Sequence, residues 1–73
     1  MENAILEMKQ GLVDDYYVAF MFKNDAPRFL LGKSDEFHLI NENWIVIHKE
    51  KGAVQIINLN FISEIRVIRK SYK

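Results

Sequence analysis

The chain has no cysteine, a single proline (Pro27), three glycines and a single tryptophan (Trp44), and its ten basic and ten acidic side chains cancel. The missing cysteine removes disulfide bracing and the commonest zinc frameworks. Charge neutrality argues against a protein that holds nucleic acid through bulk charge alone. No apolar run approaches the roughly 18 residues a membrane span requires. The opening MENAILEMKQ carries acids where a signal peptide needs positive charge before its apolar core. The expected compartment is therefore the cytoplasm, with no membrane partner.

What remains is a short, apolar chain: 73 residues, 49% hydrophobic and 12% aromatic. A single domain over 1–73 is expected. A domain this small buries only about 60% of the surface its unfolded chain exposes, and small domains offset that with disulfides, metals or partner subunits. With the first remedy gone, apolar surface is expected to find cover in a second copy, so the chain should be a homo-oligomer. Charge is unevenly spread. Residues 1–15 carry Glu2, Glu7, Asp14 and Asp15 against Lys9, whereas residues 65–73 carry Arg66, Arg69, Lys70 and Lys73 with no acid.

Met1, Ala4, Ile5, Met8 and Leu12 recur at the spacing of one helical face, with Gly11 placed to end the helix, so a helix is expected over about 2–10. From Tyr16 the pattern switches to alternation: Tyr16, Val18, Phe20 and Phe22 on one face, Tyr17, Ala19, Met21 and Lys23 on the other. Lys23-Asn24-Asp25-Ala26-Pro27 predicts a reversal. A second strand starting near Arg28 is interrupted by GKSDE. Gly32 marks either a bulge that bends one long strand or a turn that splits it, and the bend is favoured. Trp44–Lys49 and Val54–Leu59 read as strands around the turn Glu50-Lys51-Gly52, and Glu64–Arg69 follows a short kink at Asn60-Phe61-Ile62. Trp44, Ile45, Val46 and Ile47 place apolar groups on both faces of one strand. Both faces then need cover, which a strongly bent five-stranded antiparallel sheet, curled into a small barrel over about 15–70, provides.

No catalytic constellation emerges. Gly32-Lys33-Ser34 lacks the upstream glycine and the ensuing helix of a phosphate-binding loop. Asp14-Asp15 and Asp35-Glu36 are adjacent carboxylates that diverge on a strand, and His38 and His48, without cysteine, read as surface or strand residues rather than metal ligands. The chain is expected not to be an enzyme and to need no metal or cofactor.

One N-terminal helix followed by five strands in this order resembles the Sm-like fold. The closest stretch is NENW leading a strand, a brief hairpin, a strand ending in NLN, then FISEIRVI. The resemblance implies pairing of the last two strands across subunits into six- or seven-membered rings, with single-stranded RNA held at the pore. Family members carry an Asp with a following Asn or aromatic residue before the third strand, where this chain has Asn41-Glu42-Asn43-Trp44. Where the family has an Arg-Gly or Lys-His pair, this chain has Leu59-Asn60. EFHLINENWIVI followed by IINLNFISEI also resembles a strand pair of bacterial pleckstrin-homology-type domains. Charge neutrality and the missing Arg-Gly or Lys-His pair suggest the alternative, a non-catalytic structural or protein-interaction module, pleckstrin-homology-like or Sm-like, without nucleic-acid binding. Candidate RNA contacts are Asn41, Asn43, Trp44, Asn58 and Asn60, together with Arg66 and with Arg69 and Lys70 of a basic tail over 69–73. Trp44 can stack a base or anchor packing, and each Asn can read a base edge or cap a turn.

Overall fold

The alternation that begins at Tyr16 produces the strand on which the fold is built. In the computed structural model, which describes residues 1–70, β1 (Tyr16–Phe22) is paired on both sides. β2 (Phe29–Leu31) aligns Leu31 with Val18 and Phe29 with Phe20. β6 (Ile62–Arg69) aligns Val67 with Val18 and Ile65 with Phe20. A register shift between Met21 and Phe22 lets Ile62 face Phe22. Residues directly opposite share a face of the sheet, so Val18, Phe20, Phe29, Leu31 and Ile65 form one apolar wall.

The second wall is an antiparallel sheet in the order β3 (Glu36–Ile40), β4 (Trp44–His48), β5 (Val54–Asn58). Ile45 pairs with Leu39 and Ile57, and Ile47 with Phe37 and Gln55. Ile45 and Ile47 are fully buried, as are Val18, Phe20 and Leu31 of the first wall, and all join one core cluster with Ile57. The helix α1 (Glu2–Gln10) contributes Ile5 to that cluster, with Leu12 following. Burial of Ile5 and Leu12 holds a segment too short to persist as a helix alone. Lys9 Nζ, donating to the Lys33 carbonyl at 3.0 Å, ties the helix end to the opposite bend.

Two expectations need correction. The stretch from Phe29 to Ile40 is not one bent strand but two, giving six strands rather than five. Gly32-Lys33-Ser34-Asp35 closes on itself: Asp35 N–H donates to the Gly32 carbonyl at 3.2 Å, and Gly32 N–H donates to the Asp35 carboxylate at 2.7 Å. The Gly32 amide is thus spent within the turn and unavailable to a continuing ladder. A Cβ at Gly32 would also come within 3.3 Å of the Tyr17 ring, which explains the absence of a side chain there. The second correction concerns closure. β2 and β3 fall in different sheets, and β5 and β6, joined by the single 3₁₀ turn Leu59–Phe61, do not pair with each other, so the two three-stranded sheets face one another without closing into a barrel.

The helix, the reversal at residues 23–27 and the hairpin through Gly52, at φ +100°, form where the local sequence places them. Gly11 ends the helix at φ −88°, so it does so without using a left-handed conformation. Among the described residues no helix is long and apolar enough to cross a membrane. Ser71, Tyr72 and Lys73, the last three positions of the expected basic tail over 69–73, lie outside the described residues.

Candidate functional site

Two reversals meet at one end of the paired sheets. The turn after β3 has Asn41 at φ 52° and Glu42 at φ 64°, two successive left-handed residues, and Asn43 N–H closes it on the Ile40 carbonyl at 3.3 Å. Asn tolerates that conformation, whereas a Glu there costs on the order of 1–2 kcal/mol. Strain of this kind concentrates at functional loops. The neighbouring reversal is the 3₁₀ turn, fastened to the first by Leu59 N–H donating to the Asn43 carbonyl at 2.7 Å. Trp44 stands directly opposite Asn58 in the ladder. Asn41, Asn43, Trp44, Asn58 and Asn60 are therefore brought to one end of the molecule.

Their roles there differ. Asn58 Oδ1 accepts from Asn60 N–H at 2.9 Å, so this carbonyl caps the 3₁₀ turn. Trp44 is 42% exposed and lies on the face turned away from the core, with Ile40 beside it. Phe61, 63% exposed at the corner of the 3₁₀ turn, is a second aromatic surface that sequence reasoning missed. An apolar residue in NLNF reads as core from periodicity, and only the direction of the turn leaves it uncovered. The Phe61 carbonyl accepts from Lys23 N–H at 2.9 Å, which brings the end of β1 to the same cluster.

The basic residues do not join it. Arg66 lies opposite Ala19 in the middle of β6, and its guanidinium engages both carboxylate oxygens of Glu64 at 2.9 Å. This hydrogen-bonded pairing lowers the Glu64 carboxyl pKa and raises that of Arg66. Arg69 is opposite Tyr16, and Lys70 N–H donates to the Asp15 carbonyl at 2.8 Å. At a strand rise of about 3.3 Å per residue, Arg69 is roughly 26 Å along β6 from the 3₁₀ turn. The expected contacts thus fall apart, with the asparagines and Trp44 at one end, Arg66 in mid-strand, and Arg69 and Lys70 at the other end.

The far end holds a groove of ≈ 620 Å³ between the start of β1, the Gly32–Asp35 turn and the β4–β5 hairpin. Of the three lysines that line it, Lys33, Lys49 and Lys51, two are paired with acids. Lys33 pairs with Asp14, and Lys49 Nζ reaches Asp35 at 2.8 Å. Asp35 is 5% exposed and also accepts from Glu50 N–H at 2.9 Å. Burial pushes its carboxyl pKa up, but the hydrogen bonds from Lys49 and from the Gly32 and Glu50 amides, with the Lys49 charge, outweigh that and leave it below the ordinary value. Lys49 also donates to the Leu30 carbonyl at 2.9 Å and stands 5.3 Å over the Phe29 ring. This knot links β2 to the β4–β5 hairpin, and its charges are satisfied internally rather than offered to a ligand.

Among the described residues no group of three or more His, Asp or Glu side chains is placed to hold a metal ion. No protein-family model matches the chain, and neither does any curated protein or solved structure.

Proposed function

We propose that the chain is a non-catalytic Sm-like module that assembles with copies of itself into a ring and takes single-stranded RNA at the Asn43–Trp44–Asn58–Asn60 end. The observation that carries this reading is the pair of ladder edges on β5 and β6, unpaired among the described residues, on successive strands joined by one short turn. Unpaired edges are templates for another chain. Pairing β5 of one copy with β6 of the next continues both sheets in a head-to-tail contact, which forms a ring when the rotation closes. Apolar side chains stand exposed on these two strands, Val54 and Ile56 on β5 and Val67 on β6. Val67 is on the core-facing side, opposite the fully buried Val18, and needs a neighbour to cover it. Six or seven copies are the numbers the family resemblance implies.

The RNA part rests on the exposed Trp44 and Phe61 rings, beside amides that can pair with base edges. In a ring, every copy would present the same loops around one axis. The basic residues at the far end of β6 would act on RNA only through long-range attraction, so affinity should be modest and its salt slope shallow. Filter binding of short U-rich and A-rich RNA across salt concentrations tests the claim, and no retention at low salt removes it. A second reading, a protein-interaction module without RNA, is favoured by one observation: Ile40, Trp44, Val54 and Ile56 are all exposed at outward positions of the β3–β4–β5 sheet. Co-purifying nucleic acid, visible in the absorbance ratio of fresh protein, separates the two.

A further inference from the structure

The outward face of the second sheet also carries both histidines of the chain. β3 places His38 opposite Val46, and β4 places His48 opposite Glu36, so the two are diagonal neighbours across one ladder. Their rings stack with centroids 5.5 Å apart and planes 24° from parallel, and both residues are exposed. β4 is hydrogen-bonded on both sides, so the backbone beneath the pair is held. A neutral imidazole offers one nitrogen lone pair, and two of them side by side on a fixed sheet make a bidentate chelate.

The geometry fits a late first-row divalent ion. Metal–nitrogen bonds of about 2.0–2.1 Å in a tetrahedral arrangement need the two nitrogens about 3.3 Å apart. The rings, stacked with centroids 5.5 Å apart, must turn out of the stack to aim one nitrogen each at a shared ion, and the Cβ–Cγ torsion that turns them is broad and soft for histidine. Glu36 is the other titratable side chain at the outward register positions of β3, β4 and β5, and no Lys or Arg occupies them. An arriving cation therefore meets one carboxylate on this face and no fixed positive charge.

We propose that His38 and His48 together bind one Cu²⁺, Ni²⁺ or Zn²⁺ ion per chain, with water in the remaining positions. Copper binds tightest, following the general order for nitrogen sites, and Mg²⁺, which requires oxygen ligands, does not bind. The site is independent of the RNA reading and would persist if that reading failed.

The test uses the untagged full chain. Titration with Zn²⁺ followed by NMR should shift the ring protons of His38 and His48 together and saturate at one ion per chain, with Mg²⁺ silent. Calorimetric titration of His38→Asn and of His48→Asn should each show affinity reduced on the order of 100-fold, because the second ligand no longer acts at high local concentration. Circular dichroism of both variants should match the parent, since neither side chain is buried. Unchanged affinity in either variant overturns the proposal. A shift of one ring alone, or of neither, in the unsubstituted chain does so as well, independently of how the variants fold.

Discussion

Replacing Asp35 tests whether the far-end knot fixes the two sheets against each other. Its carboxylate accepts from Gly32 N–H at 2.7 Å, Lys49 Nζ at 2.8 Å and Glu50 N–H at 2.9 Å while only 5% exposed. Asp35→Ala orphans two amides and strands the Lys49 charge. Removing one partner of a buried pair costs about 3–5 kcal/mol. Lys49 keeps a third of its side chain in water, so the lower end, about 3 kcal/mol, is expected. Asp35→Asn keeps the shape and an acceptor but loses the charge, and should cost about 1.5 kcal/mol. For a domain of this size, 3 kcal/mol lowers Tm by on the order of 15 °C, measured at one fixed protein concentration because assembly also shifts Tm. The pH dependence has a definite sign. Since the folded-state pKa of Asp35 lies below its unfolded value, its contribution is fully present above the unfolded pKa and is lost as pH falls through the folded one. The stability gap between the parent and Asp35→Asn in urea should therefore narrow below about pH 4. A parent and Asp35→Asn of equal stability at pH 7 would refute the reasoning, as would a gap unchanged down to pH 2.

Phe20, fully buried between β2 and β6, should lose about 3–5 kcal/mol on truncation to Ala, read as a lower urea midpoint. Glu42→Gly relieves the left-handed Glu at φ 64° and should raise stability by about 1 kcal/mol; a lower Tm would show that the Glu42 side chain has a role the turn geometry does not reveal. Trp44→Ala, at a 42% exposed position, should leave the unfolding free energy within about 1 kcal/mol of the parent's in urea while weakening RNA binding by about 1–3 kcal/mol. Lys33→Ala breaks an exposed ion pair with Asp14, and since such pairs contribute little its Tm should barely move.

Periodicity carried α1, β1, β4 and β5 because each buries a face set by its own repeat: Ile5 on the helix, Val18 and Phe20 on β1, Ile45 and Ile47 on β4. The turn at Asn41–Asn43 and the kink before β6 were legible from turn-forming residues. The split at Gly32–Asp35 was not. Whether GKSDE bulges or turns depends on Lys49 and Glu50 returning from the β4–β5 hairpin to hold Asp35, a contact across 14 or 15 positions that no local pattern encodes. Closure was misjudged for a related reason. Apolar groups on both faces of β4 say that both faces need cover, but the 3₁₀ turn decides that β5 and β6 leave their edges free. In the candidate site the asparagines and Trp44 could be placed at strand ends from sequence. The exposure of Phe61 could not, nor could the distance that separates Arg69 from them, because β6 runs for eight residues away from the 3₁₀ turn.

The measurement that bears most directly on the free edges is the solution mass of the purified chain, by light scattering or native mass spectrometry, repeated with a charge placed at the seam by Val67→Lys. Pairing of β5 with β6 between copies predicts a closed oligomer for the parent, six or seven chains if the family resemblance carries, and a smaller species for Val67→Lys. A parent chain that remains a stably folded monomer at micromolar concentration would contradict it.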